Sequence, residues 1–221
     1  MIRQIILILL SFLPSIDQFV TKVAGNYFIG LTIRIATHLI TPVLFRYHRL
    51  KNWKESFIEP LRPGDRKETL FFSIIGSIGA VVLITALFFA IKPFMDLSLI
   101  SQELSKIYPV TIPVYIIVGL SISFINPFIE EYFWRGLIFK EYHEHTGGGY
   151  WTGILFAVHH LVMLFTWFSS WWQLAIVTVG LAIVGLLFNW FYARTKSIIA
   201  SYVTHMAADI TIIVIGFFIL F

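Results

Sequence analysis

NPFIEEYFWRG, residues Asn126 to Gly136, sets two adjacent glutamates and an arginine inside a chain that is otherwise almost wholly apolar. On a soluble helix the three charges would be ordinary. Here VTIPVYIIVGLSISFI (110–125) precedes them and LIF (137–139) follows, so the stretch reads as part of a membrane-crossing helix. The question it raises is what Glu130 and Glu131 do at that depth.

The rest of the sequence supports this setting. Of 221 residues, 58% are hydrophobic and 13% charged, about half the charge of an ordinary soluble domain. The 22 Phe, 9 Tyr and 7 Trp suit lipid-facing surfaces and interfacial belts. With no cysteine, a disulfide framework, a thiol nucleophile and a cysteine-based zinc site are excluded. The N-terminal run MIRQIILILLSFLPSIDQFV begins like a signal peptide but has no small-x-small cleavage site, and reads as retained.

Apolar runs near 4–20, 25–45, 69–91, 110–139, 151–168, 172–193 and 197–221 predict an all-α, polytopic transmembrane bundle of about seven helices. Residues 1–100 form N-terminal spans and a basic loop; residues 101–221 form a membrane core. The fourth run holds Pro113 and Pro127, which predicts a kink or two helices in tandem. A freed carbonyl at that depth needs protein or a wet cavity beside it.

Orientation follows from the segment RYHRLKNWKESFIEPLRPGDRKE (46–68), whose seven Lys and Arg mark it as cytoplasmic. Seven spans then put Arg3, Lys140, Arg194 and Lys196 on the same side, with Lys22, Lys92 and Lys106 opposite. The net charge of +4 thus reflects topology and contact with anionic lipid, and no nucleic-acid partner is expected.

The ionisable residues left at depth are few: Arg34, His38, Glu130, Glu131, Arg135, His159, His160, His205 and Asp209. Measured from the cytoplasmic helix ends at the helical rise, Glu130, His160 and His205 fall roughly 15, 14 and 12 Å deep, on three helices. A shared cavity is the simplest account. Glu131 and Arg135 are four apart in the favourable order for an ion pair, and His205 and Asp209 share that spacing, which lets a carboxylate orient the imidazole. Burial and different neighbours allow two adjacent carboxylates to take different roles.

EEYFWRG (130–136), FAVHH (156–160) and HMAAD (205–209) resemble, in order, the EExxxR, FxxxH and HxxxN/D motifs of the CPBP intramembrane proteases. That family includes the type II CAAX prenyl endopeptidases and the Abi, bacteriocin-processing and self-immunity proteins. The resemblance covers roughly residues 100–215. It implies that Glu130 and His160 activate a water for attack on a peptide carbonyl, that His205 with Asp209 stabilises the oxyanion or orients the water, and that Glu131 and Arg135 are partly structural. Asp209 departs from the common asparagine, and an ionised carboxylate would repel an oxyanion unless it works by polarising His205.

Other readings stand beside this one. The glutamate pair could be a salt-bridged packing knot, and a single membrane histidine often only bonds across helices. His159 points about 100° from His160 and reads as a packing residue or one that supports the site from behind, while Arg34 and His38 read as partners of Asp17 or as cavity wall. HEH (143–145) reads as solvated, TWFSSWW (166–172) as an interfacial belt, and Ser201 as a minor candidate nucleophile.

The expectation is a multi-pass protease of a cell membrane, with a bacterial plasma membrane the setting the resemblance suggests. Its site would open toward the cytoplasmic half of the bilayer, and its partners would be a peptide or protein substrate and the lipid bilayer. The cofactor is either none, which is favoured, or a divalent metal such as zinc held by Glu130, His160 and His205. The rival is a non-catalytic immunity or scaffold protein that uses the same cavity for binding.

Overall fold

The computed structural model describes residues 2–165, 167–168 and 170–221, with the side chains of residues 2–4, Arg3 among them, outside the description. The described residues form helices and no strand. Six helices are long and apolar enough to cross a membrane: α1 (Ile5–Ala24), α2 (Tyr27–Leu50), α3 (Arg66–Phe94), α4 (Ile112–Thr146), α6 (Trp171–Thr195) and α7 (Ile199–Leu220). Between the fourth and the next lies α5 (Thr152–Leu164), which spans only 13 residues.

The expectation of about seven spans is therefore met by six full-length helices and a short one. At 1.5 Å per residue α5 is about 20 Å long, short of the roughly 30 Å hydrocarbon core. The apolar sequence continues past Leu164, but the helix does not. Thr166 and Ser169 of the tryptophan stretch lie outside the described residues, and Trp171 is exposed, as an interfacial residue would be.

The two ends of the bundle differ as the charge pattern requires. At one end Glu59 binds Arg49 at 3.0 Å and Lys140 at 2.6 Å, Arg194 pairs with Glu68, and the Gly64 N–H donates to Thr195 O at 2.8 Å. At the other, Gln173 donates to Phe94 O at 2.6 Å. Helices α3 and α6 thus run antiparallel, and the basic segments meet at the end the positive-inside rule assigns to the cytoplasm. Helix α3 turns Leu70, Phe71, Ile74, Ile78 and Val82 outward, the surface a lipid-facing helix needs.

Prolines shape the helices that carry the polar residues. Just before Pro42 in α2 and Pro127 in α4, the chain widens into a π turn: the Thr41 N–H bonds Ala36 O and the Asn126 N–H bonds Ser121 O. A proline lacks the donor and crowds the carbonyl four residues back, so the ladder shifts by one residue there. A third π turn covers Trp134–Phe139, where the Gly136 carbonyl accepts from Arg46 at 2.6 Å. The predicted kink in the fourth run is thus resolved as one helix with two widened turns bracketing Asn126–Phe133.

Helices α5 and α6 meet through glycine. A methyl group added to Gly185 would lie 2.2 Å from the Gly153 carbonyl oxygen, so neither position can carry a side chain at this separation. This approach fixes the height and rotation of α5, and with it both histidines.

Candidate active site

Helix α4 supplies the two glutamates, and their surroundings separate them. Glu131 is fully buried and accepts from Arg135 Nη1 at 2.8 Å. Arg135 spends its other donors on Asn189 Oδ1 at 3.1 Å and Gly185 O at 2.9 Å, and lies over the rings of Phe156 and Phe188. The same Glu131 oxygen, Oε1, lies 3.1 Å from His205 Nδ1. Because a carboxylate accepts, His205 carries its hydrogen on Nδ1 and leaves Nε2 free on the side of Asp209, 3.8 Å away.

Glu130 faces different partners. Its Oε1 accepts from Asn126 Nδ2 at 2.9 Å, one helical turn back. Its Oε2 faces His159 Nε2 at 3.8 Å and His160 Nε2 at 3.9 Å. Both separations are too long for direct hydrogen bonds, and each is a span that one water can bridge. His160 Nδ1 lies 2.7 Å from the Phe156 carbonyl, so it holds the hydrogen there and presents Nε2 as an acceptor. Phe156 is the common wall, touching the rings of His159, His160 and His205.

Helices α1 and α2 complete the enclosure. Asp17 accepts from Arg34 Nε and Nη2, both at 3.3 Å, and lies 3.3 Å from His38 Nδ1. Arg34 Nη1 donates to Asn126 Oδ1. Arg34 and His38 therefore do both things the sequence suggested: they satisfy Asp17, and Arg34 reaches the wall of the site.

All six predicted site residues, Glu130, Glu131, Arg135, His160, His205 and Asp209, lie in this connected region. His205, however, pairs with Glu131, whereas the groups within 4.8 Å of one another are Glu130, His159 and His160. His159, expected to serve packing or to support the site from behind, stacks on Trp134 and also faces Glu130, because two successive histidines straddle one point on the opposing helix. Ser201 donates to its own helix at Ile198 O and is fully buried. Asn126 and Asn189 were not identified from sequence; an asparagine one turn before a buried glutamate was the signal for the first.

Exposure indicates where the site opens. Side-chain exposure is 22% at His160, 14% at Asp209 and 12% at Arg34, but zero at Glu131 and Arg135. The exposed members lie farther from the basic end, which Leu137, Ile138 and Phe139 seal with no exposure at all. The exposed members thus lie on the side away from the basic end, whereas the sequence led to the expectation of a site open toward the cytoplasmic half. A separate groove of about 600 Å³ between α3 and α7 contains none of these residues, and its three hydroxyls, on Thr69, Ser73 and Ser77, donate to their own helix.

The donor set also fits a divalent metal. One carboxylate oxygen and two imidazole nitrogens converge, and among the described residues Glu130 Oε2 and both His159 nitrogens have no hydrogen-bond partner in the chain. The Phe156 carbonyl behind His160 is the kind of partner that holds a ligating imidazole.

Fold and site together define a multi-pass membrane protein with a buried cluster of carboxylates and histidines. The family model for Rce1-like proteins, described as type II CAAX prenyl endopeptidase Rce1-like, matches residues 111–211, and this part of the chain is similar to that family of membrane proteases. In general class it is a CAAX-type intramembrane protease, whose substrate is a membrane-associated peptide. No curated protein and no solved structure matches the chain.

Proposed function

We propose that the protein hydrolyses a peptide bond of a membrane-associated substrate with a water activated by Glu130 and the paired histidines. The observation that carries this reading is the facing of Glu130 Oε2 toward His159 Nε2 and His160 Nε2 at 3.8 and 3.9 Å. A water hydrogen-bonded to the carboxylate and one imidazole can be deprotonated as it attacks, and the proton can then return to the leaving amine. Glu131 has a different task. Held by Arg135, it accepts from His205 Nδ1 and fixes that ring with Nε2 on the side of Asp209; as an imidazolium His205 would donate from Nε2 to an oxyanion.

A metal-assisted version rests on the convergence of Glu130, His159 and His160. These three would hold a divalent ion such as zinc, which would supply Lewis acidity to a bound water. Metal content of the purified protein, compared with that of His159→Ala, decides between the versions: stoichiometric metal lost in the variant supports it.

The test of the reaction is cleavage of a prenylated CAAX-tailed peptide and its unprenylated counterpart by purified protein in liposomes, read by mass spectrometry. Cleavage by the wild type but not by Glu130→Gln or His160→Ala supports the reading. Equal cleavage by Glu130→Gln refutes the role of Glu130, and a cavity that only binds the peptides favours the scaffold alternative.

A further inference from the structure

Outside the family match, α1 and α2 contribute an ordered chain of side chains that ends on the proposed base. Asp17 holds Arg34 through two donors, Arg34 donates to Asn126 Oδ1, and Asn126 Nδ2 donates to Glu130 Oε1. Asp17 and His38 are about 1% exposed and Asn126 is 8% exposed, so water competes little for these bonds.

The chemistry of the links fixes their direction. An arginine can only donate and an ionised carboxylate can only accept, so the amide between them has one satisfactory orientation, oxygen toward Arg34 and nitrogen toward Glu130. With Oε1 taken by Asn126, Oε2 is the oxygen turned to His159 and His160. The π turn ahead of Pro127 sets where Asn126 stands on α4, and the i, i+4 spacing carries it to Glu130.

We propose that Arg34 and Asn126 are positioning residues that hold the Glu130 carboxylate in its working rotation, so that the two N-terminal spans belong to the catalytic apparatus. The proposal rests on the hydrolytic reading of Glu130 given above. Asp17 has a supporting task, keeping Arg34 extended toward Asn126 while balancing its charge within the membrane.

Two measurements test it. In nanodiscs, infrared difference spectra of each protein against its own Glu130→Gln counterpart isolate the Glu130 carboxylate band. Asn126→Ala and Arg34→Gln are expected to move or broaden that band, and an unchanged band in both overturns the proposal whether or not any substrate is cut. In the cleavage assay, Asn126→Ala is expected to lower kcat about 10–100-fold with little change in KM.

The charge exchange Asp17→Arg with Arg34→Asp separates positioning from a simple tie between α1 and α2. It rebuilds the ion pair but not the donation to Asn126. Wild-type thermal stability with kcat still depressed is expected; recovery of kcat together with stability overturns the proposal. If the wild type itself cuts nothing, the hydrolytic reading fails on that result, while the carboxylate band still reports on positioning.

Discussion

Replacing Arg135 by methionine isolates the buried pair under the site. The side chain lies wholly within the protein and makes three hydrogen bonds, to Glu131, Asn189 and Gly185 O, under two aromatic rings. Methionine fills much of the volume but leaves a carboxylate of zero exposure without its cation, with only His205 donating to it. Breaking a buried pair from one side costs about 3–5 kcal/mol. For a chain of this size that corresponds to roughly 6–20 °C in Tm. Glu130→Gln is the matched control: the glutamine oxygen can still accept from Asn126, so its cost should be about 1 kcal/mol or less. The assay is thermal unfolding in detergent followed by tryptophan fluorescence. Adding Glu131→Gln to Arg135→Met should restore part of the loss, since the stranded charge is then removed. The reasoning is refuted if Arg135→Met melts with the wild type, or if the second substitution deepens the loss.

Further outcomes follow from the same contacts. Glu131→Gln, which weakens the hold on His205 and leaves the Glu130 side untouched, should lower kcat about 10–100-fold while Glu130→Gln lowers it about 10²–10⁴-fold, as read by peptide cleavage. Gly185→Ala should destabilise by about 1–3 kcal/mol or more and reduce activity, because α5 must move away from α6 and carry the histidines with it; thermal unfolding and cleavage measured together check this. At the basic end, burial alone would raise the Glu59 carboxyl, but Lys140 and Arg49 outweigh it and hold the group below the usual carboxylate range. Its contribution to stability should therefore be complete above the ordinary carboxylate pKa and fade as the pH falls through the lowered value. Melting curves of wild type and Glu59→Gln between about pH 6 and 3 should converge toward the acid end.

Much of the site was legible because helical spacing is local. Glu131 with Arg135, and His205 with Asp209, could be paired by counting four residues, and the shared depth of Glu130, His160 and His205 pointed to one polar cluster. The remainder depended on which helices touch. That Arg34 meets Asn126 requires α2 to pack on α4, and that Arg135 meets Asn189 and Gly185 requires α4 to pack on α6. His159 packs on Trp134 as its offset suggested, yet a 100° offset keeps a residue from a partner only when that partner lies straight ahead of its neighbour. Glu130 lies between the two. The shortness of α5 was hidden because apolar composition continues beyond Leu164, where the helix has ended.

The central claim is that Glu130 activates water for peptide hydrolysis. It is tested most directly by comparing peptide termini, by mass spectrometry, in cells expressing the wild type and Glu130→Gln at matched membrane levels. New termini of membrane-associated proteins found only with the wild type are the predicted result. Identical termini in the two, with the folded variant retaining the wild-type phenotype, would contradict it.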